Sequence, residues 1–170
     1  MKRAALALGI AGLLWGLPAL PGLVSLRAEA PPESLQAAAR IEAIPAGDVR
    51  LTLYALNPER VDFPDDRKAG EFHGFPVLGQ AAISSARERK TLLDALAAAA
   101  RAGDGAGTKC FNPRHGLRVE SASGTVDFVI CFQCRLVSVY GGNPMNLFLI
   151  GGPSDAFDRA LKAHGLRKAD

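Results

Sequence analysis

A tight turn in the second half of the chain constrains the fold more than any other feature. Ser121-Ala122-Ser123-Gly124 consists of small, turn-forming residues and separates two segments of strand character, 116–120 and 126–132. Strands joined by so short a turn pair as antiparallel neighbours. With the surrounding patterns, the predicted order of elements is β-β-α-β-β-β-β-α. This order favours an α+β domain, mainly an antiparallel sheet of about five to six strands with two helices packed on one face.

Both predicted helices have recognisable ends. Ser84 or Ser85 suits the N-cap of the first helix, whose apolar residues recur at helical spacing, and Gly103 ends this helix. Pro153 or Ser154 opens the second helix near the end of the chain. One helix therefore follows the first two strands and the other follows the last four.

Residues 1–30 have the pattern of a signal peptide. Two basic residues follow the first methionine, the segment 4–26 carries no charge, and Ala28-Glu29-Ala30 fits the small-x-small cleavage pattern. We predict cleavage after Ala30 and export of the protein, to the periplasm or the exterior. An uncleaved membrane anchor is the alternative, because the uncharged segment is long enough to span a bilayer.

After the signal peptide, we predict a linker over residues 31–47 and a single domain over residues 48–170. Within the linker, the Ala-rich segment 33–42 could form a short helix that Pro45 ends. The whole chain has 20 basic and 17 acidic residues. The first thirty residues hold three of the basic and one of the acidic residues, which leaves 17 basic and 16 acidic residues. This near-neutral balance argues against a nucleic-acid partner, and it limits membrane contact to a retained signal segment. The composition indicates no other partner.

Three cysteines and one histidine are predicted to meet at one end of the hairpin. With the turn centred as described, Cys131 lies opposite His115, Cys134 lies opposite Asn112, and Cys110 falls close to the same place. An odd number of cysteines in an exported chain leaves at least one outside any internal disulfide.

The spacing of the cysteines limits which of them can bond. Residues three apart in a regular strand have Cα atoms roughly 10 Å apart, whereas a disulfide needs about 4.4–6.8 Å. Cys131 and Cys134 therefore bond only if the chain turns between them. A disulfide from Cys110 to Cys134, or less easily to Cys131, is the favoured arrangement. This hypothesis leaves one buried free thiol.

Other chemistry for the same residues stays open. Cys110, His115, Cys131 and Cys134 together offer a Cys₃His set suited to zinc or another thiophilic metal. Cys131 and Cys134 form a Cys-x-x-Cys motif, which can be a redox dithiol, although its strand context is not that of thioredoxin-like proteins. Cys131 and His115, with Asn112 to orient the ring, could also form a nucleophile and base.

The favoured function is a non-catalytic binding or structural module that the Cys/His cluster stabilises. We assign no catalytic residue and expect no cofactor unless the metal site forms. A metal-binding protein and a thiol-dependent enzyme or redox protein that uses Cys131 and Cys134 are the alternatives.

Two segments resemble a signature of uncharacterised exported bacterial proteins. The first is Lys109-Cys110-Phe111-Asn112-Pro113-Arg114-His115-Gly116, and the second is Val126-Asp127-Phe128-Val129-Ile130-Cys131-Phe132-Gln133-Cys134. Segments 53–58 and 72–79 are similar to the same pattern. The resemblance implies a shared α+β domain and no transferable activity. The commoner form of the second motif has an acidic residue at the position of Gln133, which weakens any role for a carboxylate there.

Overall fold

Seven antiparallel strands form one curled sheet in the computed structural model, which describes residues 29–59, 70–141 and 147–170. The sheet order is β2-β3-β1-β4-β5-β6-β7. The predicted signal peptide lies outside the described residues, apart from its last two. The elements are α1 (Pro32–Glu42), β1 (Arg50–Leu56), β2 (Glu71–Phe72), β3 (Phe75–Ala82), α2 (Ala86–Arg101), β4 (His115–Ser121), β5 (Gly124–Cys131), β6 (Leu136–Tyr140), β7 (Leu147–Leu149) and α3 (Asp155–Ala163).

The predicted α+β class and antiparallel sheet are confirmed, but the sheet has seven strands and the described residues form three helices. The sequence predicts a strand over 146–150, and β7 lies within it. It predicts one strand over 72–83, broken by glycines, where the structure has the two-residue β2 and then β3. The short strand predicted over 109–112 does not form. Within the described residues, no helix is both long and apolar enough to cross a membrane.

The core has two parts, one on each face of the sheet. All three helices pack on one face, where Leu53 of β1, Leu96 of α2 and Phe157 of α3 belong to a single buried cluster. A smaller cluster on the opposite face includes Tyr54 and Phe72. Successive residues of a strand point to opposite faces, so Leu53 and Tyr54 enter different clusters. The prediction that helices cover one face is therefore confirmed.

Helix α1 corrects the predicted linker over residues 31–47. Ala37, Ala38 and Ile41 are buried in the main cluster, and α1 packs along α2. The buried Ser34 hydroxyl donates a 2.9 Å hydrogen bond to the main-chain oxygen of Leu149. A short helix over 33–42 was a possibility that the sequence raised, and α1 forms there, but its burial against α2 was not predicted, because alanine contributes little apolar area to a sequence pattern. Close helix packing needs such small side chains.

The central hairpin pairs one residue away from the predicted register. Ser121 pairs with Gly124 around a two-residue loop, and His115 pairs with Ile130 instead of Cys131. Since a one-residue shift moves a side chain to the other face of a sheet, this difference decides which residues can meet His115.

We expect the Ile41→Ala substitution to lower the free energy of unfolding by about 2–5 kcal/mol, since Ile41 is 2% exposed in the core. The matched change on the same helix, Leu35→Ala, removes a side chain of a residue that is 48% exposed. It should change the stability by less than about 0.5 kcal/mol. Urea unfolding of both variants measures the difference. Equal, small losses would show that α1 does not belong to the cooperative domain.

Candidate functional site

Cys131 and Cys134 lie at disulfide distance because the chain turns sharply after β5. Their Cα atoms are 5.2 Å apart. The main-chain N–H of Arg135 donates to the Phe132 oxygen at 3.2 Å, and Arg135 has a left-handed φ of 61°. An ion pair to Asp104 (2.5 Å) holds the Arg135 side chain. The favoured Cys110–Cys134 disulfide is therefore wrong, since the strand ends at Cys131 instead of continuing.

Cys110 nevertheless reaches the same cluster, as the sequence predicted. Its Sγ lies 3.3 Å from Sγ of Cys134. Thr108 fixes this approach: its N–H donates to the Cys134 oxygen at 3.2 Å, and its Oγ1 lies 3.1 Å from Sγ of Cys110. Cys110 is a free cysteine and is exposed, so the predicted burial of the free thiol is wrong. A thiol therefore touches one sulfur of a disulfide.

The disulfide itself is buried and receives main-chain hydrogen bonds. Cys131 and Cys134 are 1% and 0% exposed. The N–H of Asn112 donates to Sγ of Cys134 at 3.2 Å, and the N–H of Cys134 donates to Sγ of Cys131 at 3.1 Å. Donors at these positions stabilise negative charge on sulfur, as a thiolate requires.

His115 does not join the sulfur cluster. Only 3% of it is exposed, and its Nε2 lies 2.9 Å from Oδ1 of Asp158 on α3. The ring packs edge-on against Phe132 and Phe157. Burial lowers the pKa of His115 to about 4, and the neighbouring Asp158 carboxylate offsets only part of this effect. His115 is therefore a neutral donor to Asp158 at pH 7.

The Cys₃His metal site and the Cys131–His115 pair are therefore not assembled. Across the described ranges, no group of three or more His, Cys, Asp or Glu side chains is arranged to hold a metal ion. The one-residue shift in hairpin register explains part of this outcome, because it places Ile130 opposite His115.

Asp158 instead organises a polar network beside the cluster. Its Oδ2 accepts hydrogen bonds from the Ser154 hydroxyl and from Nζ of Lys168, each at 2.7 Å. Burial alone would raise the pKa of Asp158, but these hydrogen bonds and His115 lower it overall. The carboxylate is therefore ionised at neutral pH.

A pocket of about 380 Å³ lies between this network and the turn over residues 131–135, which is called the cysteine turn below. Arg114 is its best-connected cation. Its Nη1 donates to Oε1 of Gln133 at 3.1 Å, and its Nη2 donates to the main-chain oxygen of Asp170 at 2.5 Å. The lining residues are Asn112, Arg114, His115, Phe132, Gln133, Ser154, Lys168, Ala169 and Asp170.

A second polar cluster, which the sequence did not predict, lies on the sheet face away from the helices. The buried carboxylate of Asp127 accepts two hydrogen bonds from Arg118, at 2.8 and 2.7 Å, and lies 2.7 Å from Nε2 of His73. The ring of Tyr140 stacks on His73 at 3.7 Å. Burial works to raise the pKa of Asp127, but Arg118 and His73 lower it overall. The sequence feature that could have indicated this cluster is Asp127, a charged residue within the otherwise apolar segment 126–131.

Comparison with protein-family models, curated proteins and solved structures finds no match for this chain. The resemblance of segments 109–116 and 126–134 to exported bacterial proteins thus stays a prediction.

Because His115 is buried, the free energy of unfolding depends on pH. The unfolded imidazole takes up a proton near its ordinary pKa of 6.5, whereas the folded one does so only at about 4. The unfolded state therefore binds more protons between these values, and the free energy of unfolding falls by up to about 3 kcal/mol as pH drops from 6.5 to 4. Urea unfolding at a series of pH values measures this loss.

The His115→Gln variant serves as the comparison, since an amide can still donate to Asp158 but does not titrate. Its stability should vary much less with pH over the same interval. An equal slope in both proteins would contradict the assignment to His115.

Proposed function

We propose that this protein is an exported thiol–disulfide exchange module in which Cys110 exchanges with the Cys131–Cys134 disulfide. The 3.3 Å separation of the Cys110 and Cys134 sulfurs carries the proposal. Exchange proceeds through attack of a thiolate on a disulfide sulfur, so the two reacting atoms must be in contact. Here the tertiary structure holds them together.

The internal step is balanced without an added oxidant or reductant. Cys110 loses its proton to solvent, and its thiolate attacks Sγ of Cys134. The Cys110–Cys134 bond forms as the Cys131–Cys134 bond breaks. The bonding electron pair leaves on Cys131, which then takes a proton from solvent. The protonated Cys131 has an acceptor in place, because the Asn112 oxygen lies 3.3 Å from its sulfur.

Exchange would bring the reactive disulfide to the surface. Cys131 and Cys134 are buried, whereas Cys110 is exposed. A thiolate from a partner molecule attacks the Cys110 sulfur of the rearranged bond, forms a mixed disulfide with Cys110 and releases Cys134 as a thiolate. The N–H of Asn112, 3.2 Å from that sulfur, stabilises the released charge.

A disulfide within the cluster is consistent with an exported protein, because disulfides persist in oxidising compartments. The non-catalytic module, in which the Cys/His cluster only stabilises the domain, remains a prediction. The metal hypothesis needs all three sulfurs as thiolates.

Cysteine mapping of two serine variants tests the proposal. In Cys131→Ser, we expect Cys110 to bond to Cys134, so that no thiol reacts with an alkylating reagent before reduction. In Cys134→Ser, the sulfur that Cys110 contacts is absent, and we expect two free thiols. Alkylation followed by mass spectrometry counts them. The oxidised unmodified protein should have one free thiol, on Cys110.

Two results would contradict this proposal. Free Cys110 and Cys134 thiols in oxidised Cys131→Ser would support a purely structural disulfide. Three free thiols with about one equivalent of metal in the unmodified protein would support the metal site instead. In the Cys110→Ser control, mixed disulfides with a small aromatic disulfide reagent should be lost while the folded stability is kept, since Cys110 is exposed.

A further inference from the structure

The segment that carries the Cys110 thiol has little regular structure of its own. Residues 104–110 follow α2, belong to no helix or strand, and are all exposed. Gly105 within this segment has a left-handed φ of 80°. An exposed segment without regular structure opens easily. The approach of Cys110 to Cys134 therefore depends on the side-chain contacts that keep residues 104–110 closed against the cysteine turn.

The first of these contacts lies at the start of the segment. The Asp104 carboxylate pairs with the Arg135 guanidinium at 2.5 Å, and Arg135 directly follows Cys134 in the chain. Oδ1 of Asp104 also accepts the N–H of Ala106 at 3.1 Å, so the same carboxylate orients the main chain of the segment. The hydrogen bond from Arg135, and then that from Ala106, lower the pKa of Asp104. The carboxylate is therefore ionised at neutral pH, as the ion pair requires.

The second contact is made by Thr108, whose side chain touches both reacting residues. Its Oγ1 lies 3.1 Å from Sγ of Cys110 and 3.3 Å from the main-chain oxygen of Cys134. Its N–H donates to the same oxygen at 3.2 Å. When Cys110 is a thiol, its S–H can donate to Oγ1 while the hydroxyl donates to the Cys134 oxygen. When Cys110 is a thiolate, the hydroxyl can turn and donate to the sulfur, so Thr108 holds the nucleophile in both forms.

We propose that Thr108 and Asp104 are positioning residues of the exchange: they hold residues 104–110 on the cysteine turn and thereby set the effective concentration of the Cys110 thiol at Cys134. This role rests on the proposed exchange function. The effective concentration scales with the fraction of molecules in which the segment is closed. Loss of either side-chain contact lowers that fraction. Neither side chain forms or breaks a covalent bond in the step.

The Cys131→Ser protein measures this effective concentration, because an internal disulfide in it can only join Cys110 to Cys134. Equilibration with 2-mercaptoethanol and its disulfide fixes the ratio of bonded to reduced protein. Alkylation followed by mass spectrometry measures that ratio, and the ratio gives the effective concentration. The Cys131→Ala background should give the same differences between variants, which separates them from any effect of the new serine hydroxyl.

In this background, Thr108→Val should lower the effective concentration by about two- to tenfold, as expected for loss of a hydrogen bond. Thr108→Ser keeps the hydroxyl and should retain the original value. Thr91→Val is the matched control, since the hydroxyl of this exposed residue donates to the Arg87 oxygen at 2.9 Å within α2. It should leave the effective concentration unchanged.

Asp104→Asn should lower the effective concentration by about two- to fivefold, as expected for an exposed ion pair. The matched control, Asp94→Asn, breaks the exposed 2.8 Å pair with Lys90 on α2 and should have no effect. Because salt screens exposed charges, a higher ionic strength should lower the effective concentration while Asp104 is present. This dependence on salt should disappear in Asp104→Asn, which a general loss of structure would not produce.

The outcomes separate this proposal from the exchange function. Equal effective concentrations in Thr108→Val, Asp104→Asn and their controls would overturn the positioning roles and leave exchange intact. A loss in Thr108→Val that Thr108→Ser shares, or one that a fall in urea stability of the reduced protein accompanies, would also overturn the role of the hydroxyl. A failure of the Cys110–Cys134 bond to form in Cys131→Ser would contradict exchange, and the positioning roles with it.

Discussion

The antiparallel pairing of β4 with β5 is the constraint on which the rest of the site depends. These strands occupy the middle of the sheet, and their short loop lies at one end. At the other end, β4 begins at His115 and β5 finishes at Cys131. Segment 108–114 and the cysteine turn therefore meet beside α3. Thiol, disulfide and polar pocket all lie at this open end of the hairpin.

Burial then divides the chemical roles among similar residues. Two cysteines lie beneath the surface and one lies on it, although all three sulfurs belong to one cluster. Likewise, His115 is held neutral by desolvation while Asp158, with three hydrogen-bond partners, stays ionised. The same low polarity that suppresses protonation of His115 strengthens each remaining hydrogen bond around it.

The cysteine turn shows where prediction from sequence stopped. Residues 131–135 contain neither glycine nor proline, so nothing marked a turn, and a strand of regular geometry excluded the Cys131–Cys134 bond. Arg135 adopts a left-handed conformation, and its side chain forms an ion pair with Asp104, a residue distant in sequence. The meeting of Cys110 with Cys134 was predictable, since it required only the approximate hairpin register.

The residues alone predict the α+β class, the antiparallel hairpin, the helix between its serine N-cap and Gly103, and the convergence of three sulfurs, because each rests on local periodicity or turn chemistry. The folded chain alone settles which cysteines bond, that His115 faces Asp158, and that α1 belongs to the core. These outcomes depend on a one-residue register and on side-chain burial. The register and the burial both arise from contacts between segments that are distant in sequence, and a local sequence pattern does not contain such contacts.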